Sequence, residues 1–180
     1  MRITRESCIG LIIDIQEKLF PLMAEKELLL ANSQKLIEGL KGLQISLLVT
    51  QQYSNGLGGT IQEISSLFDP LNFIEKKTFS CMDEVLFLEA LERSGKSSVL
   101  ICGIESHVCV LQTAIDLREK GFQPVVISNC ISSRDLAEKQ VALQRFAQEG
   151  ILVSTVESIL FELTRTSSAI EFKSISKLVK

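Results

Sequence analysis

A single histidine, His107, is all the imidazole this sequence contains. A zinc site of the usual Cys/His type would need ligands gathered from several segments, and no such cluster is present. The five cysteines, Cys8, Cys81, Cys102, Cys109 and Cys130, are odd in number and form no C-x-x-C pair. That disfavours a disulfide framework and points to a reduced, cytoplasmic chain. No apolar run approaches the ~20 residues of a membrane span, so no membrane partner is expected. Net charge is −3 and basic residues cluster no further than short pairs, so nucleic acid is not an expected partner either. No G-x-G-x-x-G follows the first apolar run, which disfavours a dinucleotide-binding domain. Repeats, low-complexity tracts and linkers are also missing. Residues 1–180 therefore read as one domain. The first apolar run ends at Asp14 without a small-residue cleavage site, and reads as a strand rather than a signal peptide.

What is present is hydrophobic. Apolar residues make up 46% of the chain, too many for disorder. Short continuous apolar runs alternate with helical spacings. Strands are predicted at 8–13, 45–49, 72–75, 98–102, 124–128 and 151–153. Helices are predicted at 25–40, 61–68, after a cap at Asp83, at 108–120, from a cap at Ser133 or Asp135 to 147, and at 156–163, with an amphipathic tail over 170–178. Residues 54–59, Ser-Asn-Gly-Leu-Gly-Gly, read as a loop. Buried strands alternating with helices imply an α/β fold: a three-layer α/β/α sandwich on a six-stranded, mostly parallel sheet. In such sheets ligands sit beyond the carboxyl ends of the strands. The candidate segments are therefore Asp14 and Gln16, Thr50 to Tyr53, Glu75 to Phe79, Gly103 to Cys109 and Asn129 to Ser133.

The stretch from Ser97 to Gly121 carries the most chemistry. An apolar strand is expected to break at Gly103, and a helix follows that places Cys109 near its first turn. Free amides and partial positive charge at a helix start favour the thiolate, which is the nucleophile. The same amides can hold the oxygen of an attacked carbonyl. Cys109 also reads as a small buried hydrophobe. Asp14 can act as a base or cap a turn, and Lys76 can serve the site or be a solvated charge. His107 lies two residues from Cys109, and on one helix such residues do not face each other.

Three segments together resemble a family. Ile13-Asp14-Ile15-Gln16, Lys76-Lys77-Thr78-Phe79-Ser80 and Gly103-Ile104-Glu105-Ser106-His107-Val108-Cys109-Val110 are similar, in order and on the corresponding strand ends, to the isochorismatase-like cysteine hydrolases. The segments Gln52-Tyr53-Ser54-Asn55-Gly56-Leu57-Gly58, Cys130 to Arg134 and Phe172 to Leu178 resemble those of the isochorismatase domain-containing proteins of uncertain substrate. The resemblance implies the Rossmann-like isochorismatase fold and a triad of Asp14, Lys76 and Cys109. It also implies an oxyanion hole from the amides of Glu105 and Cys109, and a cis peptide between Ile104 and Glu105. Lys76 rather than Lys77 is chosen because it stands four residues before Ser80. Gln16, Tyr53, Phe79, Ile104 and Ser106 are expected to line the substrate pocket. Nicotinamidases of the family hold a metal with an Asp and two His after strand two. Thr50-Gln51-Gln52-Tyr53 has no histidine, so no metal and no cofactor are expected. Isochorismatases proper lack the nucleophilic cysteine.

The expected activity is thus metal-independent hydrolysis of a small amide-type C–N bond through a Cys109 thioester, with Asp14 as base and Lys76 as charge stabiliser. A homo-oligomer, dimer to octamer, is expected with it. The alternative is a catalytically idle oligomeric binding protein of the same fold. A redox sensor pairing Cys109 with Cys102 or Cys130 ranks last, because Cys102 sits in the strand before the turn.

Overall fold

The computed structural model describes residues 2–180. Six strands form one sheet in the order β3-β2-β1-β4-β5-β6, and every strand pair is parallel. The strands are β1 (Cys8–Ile13), β2 (Leu47–Gln52), β3 (Ile74–Lys76), β4 (Ser98–Ile104), β5 (Gln123–Ser132) and β6 (Leu152–Ser154). The helices are α1 (Lys26–Gly42), α2 (Ser54–Leu57), α3 (Gln62–Ser65), α4 (Val85–Ser94), α5 (Leu111–Glu119), α6 (Leu136–Gln148), α7 (Val156–Thr164) and α8 (Phe172–Val179).

The alternation of strand side chains divides the core in two. Cys8, Ile12, Val49, Leu100 and Cys102 face one way and meet Leu36, Ile37 and Leu40 of α1, Ile159 and Leu160 of α7 and Ile175 of α8. Ile9, Leu11, Ile13, Val99 and Ile101 face the other way and meet Phe87 and Leu91 of α4, Ala114 and Leu117 of α5 and Phe146 of α6. The central strands β1 and β4 are buried along their whole length. That is why they read as unbroken apolar runs.

Several boundaries differ from expectation at the carboxyl ends of the strands. β2 runs on through Thr50, Gln51 and Gln52 instead of stopping at Val49. Their polar side chains stay in the sheet because each finds a partner: Thr50 on Asp14, Gln51 on Thr60 and Gln52 on Lys76. β3 is shifted to end at Lys76, and β5 continues through Asn129 to Ser132. Gly103 does not break β4. It lies inside the strand with φ 131°, beside an irregularity in the β4–β5 register. A Cβ at this position would overlap the backbone of Ile13. Glycine here lets the ends of β1 and β4 close on each other.

Other elements also moved. The 54–59 segment contains the short helix α2, and the predicted 61–68 helix is limited to α3. Asp83 caps nothing. It sits in a 3-10 turn (Cys81–Asp83) whose Met82 amide donates to the Ser80 hydroxyl, and α4 begins after Glu84. Asp135, not Ser133, caps α6. Cys109 lies in a π turn, Ser106–Val110, that precedes α5. Ile170, expected on the amphipathic tail, stands in solvent ahead of α8, and Ile175 is the buried anchor.

Candidate active site

Asp14, Lys76 and Cys109 converge at the carboxyl edge of the sheet. Asp14 follows β1 with φ 53°, a left-handed conformation that aspartate tolerates better than most residues. The bend turns its carboxylate inward. Thr50 Oγ1 donates to Oδ1 at 2.8 Å, and Lys76 Nζ lies 2.7 Å from Oδ2. Both side chains of this ion pair are fully buried. Lys76 Nζ also donates to Gln52 Oε1 at 2.6 Å and to the carbonyls of Thr78 and Phe79 at 3.1 and 3.2 Å. Lys76 is thereby the lysine that enters the site, while Lys77 is exposed.

Cys109, 7% exposed, is buried close enough to Asp14 and Lys76 for both charges to act on its thiol. Its sulfur is 4.0 Å from Gln52 Oε1. Burial first, and then the Asp14 carboxylate, push the thiol up to about 12, against the pull of Lys76. Burial likewise pushes the Asp14 carboxyl above its ordinary value, outweighing Lys76 and Thr50. For Lys76, burial works against the charged form, but Asp14 and the neighbouring thiols outweigh it and hold the ammonium above the ordinary value. The resting arrangement keeps the thiol protonated beside the Asp14–Lys76 pair. The lowered thiol expected at a helix start is not what this burial gives.

The nucleophile turn is clamped from one side. The carbonyl of Glu105 accepts from the amides of Val108 and Val110, which flank Cys109. The Ile104–Glu105 peptide is cis. The Glu105 carboxylate pairs with Arg134 at 3.1 Å, and His107 Nδ1 meets Ser133 Oγ at 2.9 Å. His107 therefore faces the β5–α6 connection. Ser106 Oγ is buried without a hydrogen-bond partner among the described residues.

The remaining pocket candidates are placed unevenly. Tyr53 (51% exposed) and Phe79 (54% exposed) stand open beside the site, their chain segments bracketing Lys76. Ile104 is buried against Met23 and Leu29. The Gln16 side chain is fully engaged with the backbone: Oε1 accepts from the Gln52 amide at 2.7 Å, and Nε2 donates to the carbonyls of Gln52 and Gly58. It secures the chain around Gln52. A cavity of about 80 Å³ at the start of α1 and the end of β5, lined by Ala24, Asn129 and Lys139, includes none of the three central residues. Among the described residues no cluster of His, Cys, Asp and Glu could hold a metal ion.

Sequence reasoning singled out the 50–53 stretch but missed the roles of Thr50 and Gln52. The signal available was register: in a parallel pair, Gln52 stands opposite Lys76.

Fold and site together define an α/β/α domain with an aspartate, a lysine and a cysteine joined at the ends of three strands. The family described as "Isochorismatase domain" matches residues 8–158. The chain belongs to the isochorismatase family and has its hydrolase fold. Isochorismatase domain-containing protein 2A of Mus musculus is 36% identical over 179 residues, covering 99% of this chain and 85% of that protein. The secreted isochorismatase effector Isc1 of Phytophthora sojae is 35% identical over 185 residues, covering 99% and 87%. The solved structure of the MAR1 ribonuclease of Caenorhabditis elegans superposes with a TM-score of 0.92 at 30% identity, covering 99% and 92%. The YcaC gene product of Escherichia coli, described as an octameric hydrolase of unknown specificity, has the same fold: TM-score 0.92, 22% identity, 99% of this chain and 89% of that one.

Proposed function

We propose that this protein is a metal-independent cysteine hydrolase that cleaves a small amide-type C–N bond, with Cys109 as nucleophile, Asp14 as proton carrier and Lys76 as fixed positive charge. The observation that carries this reading is the fully buried Asp14–Lys76 pair, 2.7 Å apart, with the Cys109 sulfur 4.0 Å from the Gln52 oxygen that Lys76 also holds. A buried ion pair is a weak source of stability, so its presence beside a nucleophile supports a chemical role.

In this reading the thiol proton passes to Asp14 as the sulfur–carbon bond forms. The summed charge of Asp14, Cys109 and the bound acyl group stays at minus one throughout, passing from the carboxylate to the oxyanion and back, so Lys76 faces a single negative charge at every stage. The amides of Glu105 and Cys109 receive the developing oxyanion. Collapse breaks the C–N bond, and the departing nitrogen takes the proton from Asp14, leaving a thioester. Water then gives a proton to Asp14 and its hydroxyl to the carbonyl carbon. The second collapse releases the acid, and the sulfur recovers the proton. A carboxyl raised by burial suits this shuttling, because a base works best with a pKa near the operating pH. Tyr53 and Phe79 form the rim of the pocket, and Ile104, Ser106 and Gln16 shape its wall and floor.

The reading includes a cytoplasmic location, supported by five free cysteines. Among the described residues no helix is long and apolar enough to cross a membrane. It also includes a homo-oligomer, supported by the exposed apolar side chains Val85 and Leu86 near the site edge and tested by light scattering. The test of activity is a panel of small primary and secondary amides, with RNA added because one solved neighbour is described as a ribonuclease. Wild type is expected to hydrolyse at least one amide and to show an acyl adduct on Cys109 by intact mass. Cys109→Ala is expected to lose turnover by at least ~10³-fold. Turnover retained by Cys109→Ala, or confined to RNA, overturns the proposal.

A further inference from the structure

We infer that Gln52 selects the substrate: its side-chain carbonyl is a fixed acceptor beside the nucleophile that favours acyl groups bearing an N–H over those without one. The inference rests on the cysteine-hydrolase reading and deepens it by naming the substrate class as amides that keep an N–H.

The Gln52 side chain has one orientation available. Nε2 donates to the Lys77 carbonyl at 2.8 Å, and Oε1 accepts from Lys76 Nζ at 2.6 Å. A flipped amide would set its NH₂ group against an ammonium and its oxygen against a carbonyl. The backbone is pinned as well. Gln16 Oε1 accepts from the Gln52 amide at 2.7 Å, and Gln16 Nε2 donates to the Gln52 carbonyl at 3.0 Å. The buried glutamine therefore has a physical purpose, to hold the last residue of β2 still.

An amide oxygen has two lone pairs. Lys76 takes one, and the Cys109 sulfur lies 4.0 Å from the same oxygen. Among the described residues the groups that donate to Oε1 are the Lys76 ammonium and this thiol, and the thiol proton leaves when the sulfur attacks. At that moment the second acceptor site opens toward whatever the sulfur has just bonded. A nitrogen one or two bonds from the attacked carbon lies within reach of an oxygen 4.0 Å from the sulfur. Holding its N–H there turns the nitrogen toward Asp14, the acid that must protonate it for the C–N bond to break. An ester or a fully substituted amide has no proton to offer, and leaves a partly buried acceptor facing a non-donor.

The test reads Cys109 itself and needs no natural substrate. Rates of Cys109 alkylation are measured by intact mass with 2-iodoacetamide and with 2-iodo-N,N-dimethylacetamide. Each is divided by its rate with N-acetylcysteine in the same buffer, which removes the intrinsic reactivity of the reagents. Wild type is expected to favour the N–H reagent about five-fold beyond the free thiol, as one neutral hydrogen bond allows. Gln52→Met, near in shape but with no carbonyl, is expected to bring the ratio to that of the free thiol. Gln52→Glu, which keeps an oxygen at this place, is expected to retain the preference. A preference unchanged in Gln52→Met, or absent in wild type, overturns the inference. Because the readout is a ratio of two reagents on one protein, a general loss of reactivity or of folded fraction cancels. Failure of the underlying reading looks different: Cys109 then labels with neither reagent, or labels at rates that Asp14→Asn and Lys76→Met leave unchanged.

Discussion

Two ion pairs in this molecule have nearly the same length and opposite settings. Asp14 and Lys76 meet at 2.7 Å with no solvent on either side chain, and Arg5 and Glu171 meet at 2.8 Å half-buried, with solvent on both. The outer pair ties a residue ahead of β1 to the approach to α8, helped by the Arg5 hydrogen bond to the Leu163 carbonyl. Water competes with it and salt screens it. The inner pair has no water to fall back on. Each member has been taken out of solvent and is tolerable only because the other is there. Distance alone thus says little about an ion pair. What surrounds it decides whether it is an ornament, a fastener or a reactive centre.

Removing one inner partner is the harshest way to break the comparison. Lys76→Met should destabilise the fold by about 3–5 kcal/mol, by leaving a buried carboxylate uncompensated. Chemical denaturation reads the loss, and a change below about 1 kcal/mol would mean that the pair is better solvated than its burial indicates.

Alkaline pH should act next. The thiols of Cys81, Cys102 and Cys109 are pushed up to about 12, and that of Cys8 to about 11, chiefly by burial. Their folded values lie above the unfolded value near 9, so the folded state binds more protons between pH 9 and 12. Stability is then intact below about 9 and lost as pH rises through that window, by on the order of 1.4 kcal/mol per unit for each thiol. A flat stability profile from pH 9 to 11 would contradict this. At the outer pair the sign is reversed. The hydrogen bond from Arg5 holds Glu171 below its ordinary value, so its small contribution is present at neutral pH and fades on acidification.

Replacing both inner partners, Asp14→Asn with Lys76→Met, should cost less than Lys76→Met alone, although the proposed hydrolysis is expected to be lost in both. Strict additivity of the two single effects would show that they do not act as a pair. Gly103→Ala should cost more than about 1 kcal/mol, because it combines a left-handed φ with overlap against Ile13. Arg5→Ala should move the melting midpoint least of all, and less still in high salt.

The same contrast explains what the sequence could and could not reveal. Apolar periodicity marked β1, the start of β4, α1 and α7, because those segments answer only to the core. The doubly wound α/β fold followed from their alternation. The Asp14, Lys76 and Cys109 positions were legible as strand-end residues carrying a resemblance. The structure brings the three together, and it settles the choice between Lys76 and Lys77 through burial. What stayed hidden are polar residues that act as sheet and site at once. Thr50, Gln52 and Ser132 look like loop residues when read singly, and they are strand residues because partners distant in sequence satisfy them. The Cys109 environment was hidden for a related reason. A helix start suggests an acidic thiol, and only the packing around it shows that burial prevails.

The burial of Lys76 has a further consequence. Its ammonium is enclosed by four oxygens and is 1% exposed, whereas Lys77 beside it lies in solvent. An amine-acylating label applied to the native protein should mark Lys77 at once and reach Lys76 only when the edge of the sheet comes apart. Two adjacent lysines thus form an internal clock. One records the strength of the reagent, and the other records how often the site opens.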